Sequence, residues 1–218
     1  MNTAQLWLGL PARQPPASSR KVVSMSRLAH HFYTMACNNA WANHRLLTAC
    51  SALSQQDFTA TRTSFFPSIR MTLNHNLTVD WFYVECLELA LAGQPPNTAP
   101  RNWDEPFVIC AEILAAQHAV DRRLIAFCDG LPDTQLDRQV AVPRRTGIQY
   151  ETVTRLLGHL FEHQIHHRGQ AHAMLAGTAV PPPQLDEFFC ANEAHLRAAE
   201  LAEIGLSEEA IWGARVRA

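Results

Sequence analysis

The sequence predicts an all-α protein, namely a four-helix bundle with one long crossover and short C-terminal helices. Three observations indicate this fold. Four long segments carry apolar residues at helical spacing, prolines fall only outside these segments or at their first turns, and hydrophobic residues make up 47% of the 218 positions. That hydrophobic content is sufficient for a packed core, so we expect one domain rather than two.

The first two helices are bounded by polar and helix-breaking residues. Helix one is predicted from near Ser26 to Leu53, because apolar residues recur at helical spacing and neither proline nor glycine interrupts them. A polar connection is expected at 54–63. Pro67 suits the first turn of the second helix, and Gly93 marks its end.

The third helix is expected to open at Pro106 and to stop at Gly130, and its inner side carries two polar residues, Gln117 and Asp121. The following residues, 131–149, alternate irregularly between apolar and polar. This pattern favours a short extended segment that need not be a true hairpin. Residues 131–149 are expected to form the long crossover of the bundle.

The fourth helix is predicted at 151–176. Gly177 closes it, and the three prolines at 181–183 prevent it from continuing. Shorter C-terminal helices are expected at 185–200 and 207–212.

The second helix carries apolar residues on more than one side, with Leu73 and Leu77 on one side and Val79 and Phe82 on another. A helix that is apolar all round needs two burial partners. One of these partners is expected to be a second protomer, which predicts a homodimer.

The N-terminal residues differ in composition from the rest of the chain. Residues 1–24 are rich in proline, serine and arginine, and their apolar run at 6–10 is too short for a secretory signal. They are expected to be a disordered extension, because they cannot bury enough apolar surface to offset the entropy of ordering. Met25 is a candidate for the true start, and residues 25–218 are expected to form the bundle domain.

Charge, hydropathy and cysteine usage exclude several function classes. No stretch approaches 18 uninterrupted apolar residues, so a membrane span is not expected. A net charge of −2 and a pI near 6.6 give no general attraction for nucleic acid or an anionic membrane. The six cysteines are scattered without a C-x-x-C pair, which predicts reduced core residues of a cytoplasmic protein.

The segment 159–172 holds five of the eleven histidines. At about 100° per residue on a helix, His163 and His167 fall on the same stripe as the core residues Leu156 and Leu160. They lie one helical turn apart, a spacing from which two ring nitrogens can converge on one ion. The pair 163/167 is therefore favoured over 159/163, while His172 lies on the opposite face.

A structural interpretation of these histidines stands beside the metal interpretation. A cluster on an exposed helix face is often only solvated, and a single buried histidine is usually a hydrogen-bonded core residue. A third ligand from a facing helix would favour a metal site, and His75 on the second helix is the best candidate. Three imidazoles and an open position are typical of a catalytic site, since structural sites usually take four protein ligands.

Three motifs resemble a known family. They are Cys-Asn-Asn-Ala-Trp-Ala-Asn-His-Arg-Leu at 37–46, Leu-Asn-His-Asn-Leu-Thr-Val-Asp at 73–80, and the H-x-x-x-H-R-G-Q signature within 159–170. Their order and spacing resemble the DinB-like (damage-inducible, YfiT-like) family of bacterial metal-binding four-helix bundles. The resemblance covers about 28–176. One departure is Glu162, where relatives often carry asparagine, so that a carboxylate points outward or tunes the site.

The resemblance implies one divalent ion, nickel or zinc, bound by His75, His163 and His167. It also implies homodimers, and relatives that act as thiol-dependent S-transferases, as isomerases or as hydrolases. A low-molecular-weight thiol is accordingly a candidate cosubstrate, and the other expected partner is a small-molecule substrate. Charge and hydropathy, as stated above, favour neither nucleic acid nor a membrane as a partner. The resemblance assigns no catalytic side chain and no organic cofactor site.

Two function classes follow. The first is a metal-dependent enzyme of the S-transferase or hydrolase type, which activates a thiol or water at the three-histidine site. The second is a non-catalytic metal-binding stress-response bundle that serves as a partner surface. Asp80 or Gln170 could hold a substrate or a ligand's second nitrogen, and Arg144 and Arg145 could receive an anion. Bundle packing for the first pair and a solvated loop for the second pair are the simpler interpretations.

Overall fold

Four long helices form the body of the protein in a computed structural model that describes residues 26–101 and 105–213. They are α1 (Arg27–Cys50), α3 (Ile69–Leu91), α4 (Cys110–Asp129) and α5 (Val153–Leu175), with a short α2 (Gln55–Thr59) between the first two. Both α1 and α3 pack against both α4 and α5, so the four helices surround one core. The predicted bundle is confirmed.

The extension expected at 1–24 lies outside the described residues. None of the helices within the described residues is long and apolar enough to cross a lipid bilayer.

Hydroxyl side chains start three of the long helices. Ser26, Ser68 and Thr152 each accept a hydrogen bond from the backbone N–H three residues further on, which satisfies a donor that the first helical turn leaves free. The polar connection at 54–63 contains α2, which the sequence did not predict. Pro67 precedes the cap of α3 instead of lying in its first turn.

The start of α4 differs from the prediction. The helix begins at Cys110, four residues after Pro106. The reason is a contact with α3, where the Asn74 side chain donates to the carbonyl of Phe107 and accepts from its N–H, at 2.9 and 3.0 Å. These bonds fix the backbone of Phe107 outside a helix. Gly130 follows the last residue of α4, as predicted.

The crossover between α4 and α5 contains a true antiparallel hairpin. Strands β1 (Gln139–Arg144) and β2 (Gly147–Thr152) pair from Gln139 with Thr152 to Arg144 with Gly147. Gly147 has a φ of 129°, a conformation that favours glycine. The inward side chains of β1 are Val140 and Val142, both buried. Two inward residues are too few for a clear alternation in the sequence, which explains why only an extended segment was predicted.

The hairpin covers the second apolar side of α3. Strand β1 packs against α3, Cys86 is buried, and Val79 and Phe82 are half-buried. The second burial partner of α3 is therefore supplied within the chain. The homodimer stays a prediction, but this side of α3 does not require it.

The C-terminal segment is less helical than predicted. Helix α6 runs over Ala194–Glu203 after a 3₁₀ turn at Ala191–Glu193, and α7 runs over Glu208–Trp212. The buried Arg197 donates to the backbone carbonyls of Glu187 and Cys190 and pairs with Glu208. These bonds hold the chain before α6 in an irregular path, so the helix expected at 185–200 begins late.

Candidate metal centre

Three histidine side chains from two neighbouring helices converge within the bundle. His75 lies on α3, and His163 and His167 lie one turn apart on α5. One ring nitrogen of each lies within 4.8 Å of the other two. The Nε2 atoms of His75 and His163 are 3.0 Å apart, and the ring centroid of His167 lies 4.6 Å from that of His75. Across 26–101 and 105–213, no other group of three histidine, cysteine or acidic side chains comes this close.

The packing of α5 on α3 explains the convergence. Leu160, His163, His167 and Ala171 follow one another at intervals of three or four residues, which places them on one side of α5. Leu160 and Ala171 are fully buried, His167 is 7% exposed, and His163 is half-buried. Helix α3 packs against α5 and supplies His75. The inward pair is 163/167, as the stripe predicted, whereas His159 is exposed.

The environment keeps the three imidazoles neutral. Burial, and secondarily the neighbouring His167, lowers the pKa of His75 to about 4. Burial, followed by the other nearby histidines, lowers the pKa of His163 to about 3. Burial also lowers the pKa of His167, although its hydrogen bond to Gln170 acts in the opposite direction. Neutral imidazole is the form that binds metal ions.

Gln170 contacts the second nitrogen of a candidate ligand. The Nδ1–H of His167 donates to Oε1 of Gln170 at 2.8 Å, which leaves the lone pair on Nε2. The amide of Gln170 in turn donates to Nε2 of His166 at 3.0 Å. An outer partner of this kind fixes the tautomer and the ring orientation of a metal-binding histidine. This contact favours the alternative that Gln170 holds a ligand's second nitrogen over bundle packing alone. The position of Gln170 three residues after His167 was the available signal.

Phe66 closes one side of the cluster, and sequence reasoning missed it. Its ring centroid lies 4.3 Å from that of His75 and 5.5 Å from that of His167. It belongs to the segment between α2 and α3, where no periodicity marks a buried side chain. Phe66 thus packs against both imidazoles.

The remaining histidines of the cluster segment lie outside the triad. His159 and His166 are exposed, and His159 contacts the ring of Tyr83 edge-on at 5.2 Å. His172 is half-buried and donates from Nε2 to the carbonyl of Pro183 at 2.9 Å. Glu162 is exposed, so its carboxylate has the outward orientation rather than a contact with the triad.

A buried polar network lies on another side of α5. The Arg168 guanidinium donates to the amide oxygens of Asn39 and Asn43 on α1, and to that of Gln164. The amide groups of Asn39 and Asn43 donate in turn to Asp121 on α4. Together these bonds connect α5, α1 and α4 and limit rotation of α5 about its axis.

The network extends to Asp80 on α3. Gln117 donates to both Asp80 and Asp121, at 2.8 and 3.1 Å. Burial raises the pKa of both carboxyl groups and lowers that of Arg168, because all three are removed from water. Asp80 thus has the packing role that the sequence favoured. Trp41 is also fully buried.

A cavity of about 510 Å³ opens beside His75. Its apolar lining comes from Phe66, Met71, Val79, Phe82 and Pro143, and its polar lining from His75, Thr78, Glu105, Arg144 and Arg145. The volume lies within the range of small-molecule sites. The hairpin therefore places two arginines, at and just after the end of β1, beside a cavity that is also lined by His75.

The cysteines are all free, and five of the six are buried. Burial raises the pKa of Cys50, Cys86, Cys110 and Cys128, in the case of Cys86 to about 11. The expectation of six core cysteines is wrong for Cys190, which is exposed because it lies in the irregular segment before α6. A buried thiol with a raised pKa is a poor nucleophile.

The donor set fits a divalent metal ion. Three neutral imidazoles converge from two helices, and Gln170 fixes the tautomer of one of them. Nδ1 of His163 is buried without a hydrogen-bond partner among the described residues, and its Nε2 faces His75. Three imidazoles suit a divalent transition metal ion and leave further coordination positions open.

The family model of the DinB family matches residues 25–200, well over half of the chain. The matched range contains the three histidines, Gln170 and the buried polar network. No curated protein matches the chain.

Proposed function

The chain belongs to the DinB family, and from this premise and its histidine cluster we propose that it binds one divalent metal ion through His75, His163 and His167. We further propose that it is a metal-dependent enzyme, which activates a small thiol or water for S-transfer or hydrolysis. The observation that carries the proposal is the convergence of one ring nitrogen from each histidine within 4.8 Å. Zinc and nickel are the proposed ions, since both accept imidazole ligands.

A bound divalent ion would lower the pKa of a thiol or water at its open position and so supply a nucleophile at neutral pH. The chain's own residues prepare the site for this chemistry. Burial keeps the three imidazoles unprotonated, Gln170 orients His167, and Phe66 packs against the ring of His75. A cysteine nucleophile is not proposed, because the raised pKa values of the buried thiols oppose it.

The cavity favours an enzyme over a non-catalytic bundle that serves as a partner surface. An enzyme needs a pocket with a few convergent polar groups beside its reactive centre. The cavity next to His75 meets this requirement, since Thr78 and two arginines line it together with apolar side chains. A centre plugged by apolar side chains alone would favour the second class.

Metal analysis of untagged protein tests the proposal, followed by a thiol-transfer and hydrolysis screen on the metallated form. We expect about one divalent ion per chain. Changing His75, His163 or His167 to alanine removes one of three ligands and should abolish stoichiometric binding. His159→Ala is the matched control, because His159 is an exposed histidine on the same helix, one turn before His163. Equal loss of metal in His159→Ala and His167→Ala, or full retention in His75→Ala, would contradict the assignment.

A further inference from the structure

Arg144 and Arg145 lie at the tip of the hairpin, where they line the cavity beside His75. Arg144 is held in place by aromatic side chains of α3. It donates from Nη2 to the Tyr83 hydroxyl at 2.8 Å, and its guanidinium carbon lies 5.6 Å from the centroid of Phe82. Arg145 is exposed. The hairpin therefore presents two adjacent guanidinium groups to the same opening.

The two arginines have no carboxylate partner in the described part of the chain. Within 26–101 and 105–213, neither forms an ion pair with a carboxylate. Among the described residues that line the cavity, the acidic side chain is Glu105, which pairs with Arg70, and the nearby Arg101 pairs with Glu85. Within the described part of the chain, Arg144 and Arg145 are thus the guanidinium groups of this region that lack a carboxylate partner.

We propose that the cavity binds a small organic anion with an apolar body. Its charged head, a carboxylate or a phosphate ester, pairs with Arg144 and Arg145, because the guanidinium fork matches both groups. Its body lies against Phe82 and Phe66, with its far end at His75. The inference rests on the proposed function, since it takes the cavity as the place where a substrate meets the histidine cluster.

Binding of three probes with a common phenylalkyl body tests the inference. The probes are 4-phenylbutyrate, its neutral amide 4-phenylbutanamide, and 3-phenylpropyl phosphate, titrated calorimetrically into the zinc-loaded full chain. We expect at least one of the two anions to bind about tenfold or more tightly than the amide, because an arginine pair adds charge-assisted hydrogen bonds. The tighter of the two anions identifies the head group.

Arg145→Gln should remove most of that advantage without changing the affinity for the amide. The substitution breaks no hydrogen bond or ion pair within the described residues, so the fold should be retained. Arg122→Gln is the matched control, because it removes one positive charge from an exposed position on α4. An equal loss in Arg122→Gln would show a general field effect and would overturn the inference. Equal affinity for the amide and both anions would overturn it as well.

A His163→Ala chain separates this inference from the proposed metal centre. If the anion's advantage survives in His163→Ala and is lost in Arg145→Gln, the arginine site is supported, even where metal analysis finds no ion and the proposed function fails. If the advantage is lost in His163→Ala and survives in Arg145→Gln, the anion binds at the metal. That result would overturn the arginine site while it supports the metal centre.

Discussion

Replacing Gln170 with alanine should weaken metal binding although Gln170 is not itself a ligand. The substitution removes the acceptor 2.8 Å from Nδ1 of His167, so the imidazole loses the partner that fixes its tautomer and orientation. Outer partners of metal-binding histidines are worth about 10- to 100-fold in metal affinity. Gln170 is half-buried, and water can replace part of its hydrogen bond. We therefore expect a loss near the lower end, about tenfold or roughly 1.4 kcal/mol.

A second substitution at the same position should act on metal affinity in the opposite direction to Gln170→Ala. Gln170→Glu places a carboxylate opposite the Nδ1–H of His167, which increases the basicity of the ring and should tighten metal binding relative to Gln170→Ala. Competition with a chromophoric chelator measures the affinity for zinc and for nickel, and circular dichroism checks that each variant is folded. Gln56→Ala, at an exposed position on α2, is the matched control. Affinities of Gln170→Ala and Gln170→Glu within twofold of the parent would refute the reasoning.

Four further predictions concern stability and assembly. In the metal-free protein, the lowered pKa values of His75 and His163 mean that the unfolded chain binds protons between about pH 6.5 and 4 while the folded chain does not. Stability should therefore fall with acidification in that window, and the slope in denaturant titrations should be shallower for His163→Gln. The raised pKa of Asp80 has the opposite effect on the pH dependence of stability, since the folded chain keeps a proton that the unfolded chain releases. Asp80→Asn should therefore gain stability relative to the parent as the pH rises from 4 to 8. Deletion of residues 1–24 should leave the thermal midpoint unchanged, and a drop of several degrees would show that the segment packs on the bundle. Light scattering should give a mass twice 24.4 kDa for the proposed homodimer, and a monomer mass at micromolar concentration would count against it.

The sequence predicted the elements whose signal is local. Helical periodicity and breaking residues located the four long helices, because the spacing of apolar residues depends on one element at a time. The inward direction of His163 and His167 followed from the same spacing. His75 followed because a bundle places inward residues of different helices around one core.

Contacts between elements account for the errors. The late start of α4 depends on Asn74, which binds the backbone of Phe107 from a different helix. The late start of α6 depends on Arg197, which donates hydrogen bonds to backbone carbonyls of the preceding segment. A side chain that binds a distant backbone group leaves no periodic trace, and so neither boundary was predictable from spacing or from the positions of proline and glycine.

The structure explains three of the four residues of the H-R-G-Q signature at 167–170. His167 and Arg168 differ by about 100° around α5, so His167 faces α3 while Arg168 faces Asn39 and Asn43 on α1. Rotation of α5 that moved His167 away from His75 would also break the buried bonds of Arg168, which are costly to leave unmade. Arg168 thus positions the histidine pair without contacting it, and Gln170 orients one ring of that pair. Apart from the backbone of α5 and the two adjacent residues, no atom of the described part of the chain lies within 4 Å of a Cβ at Gly169, and nothing in the structure explains the glycine.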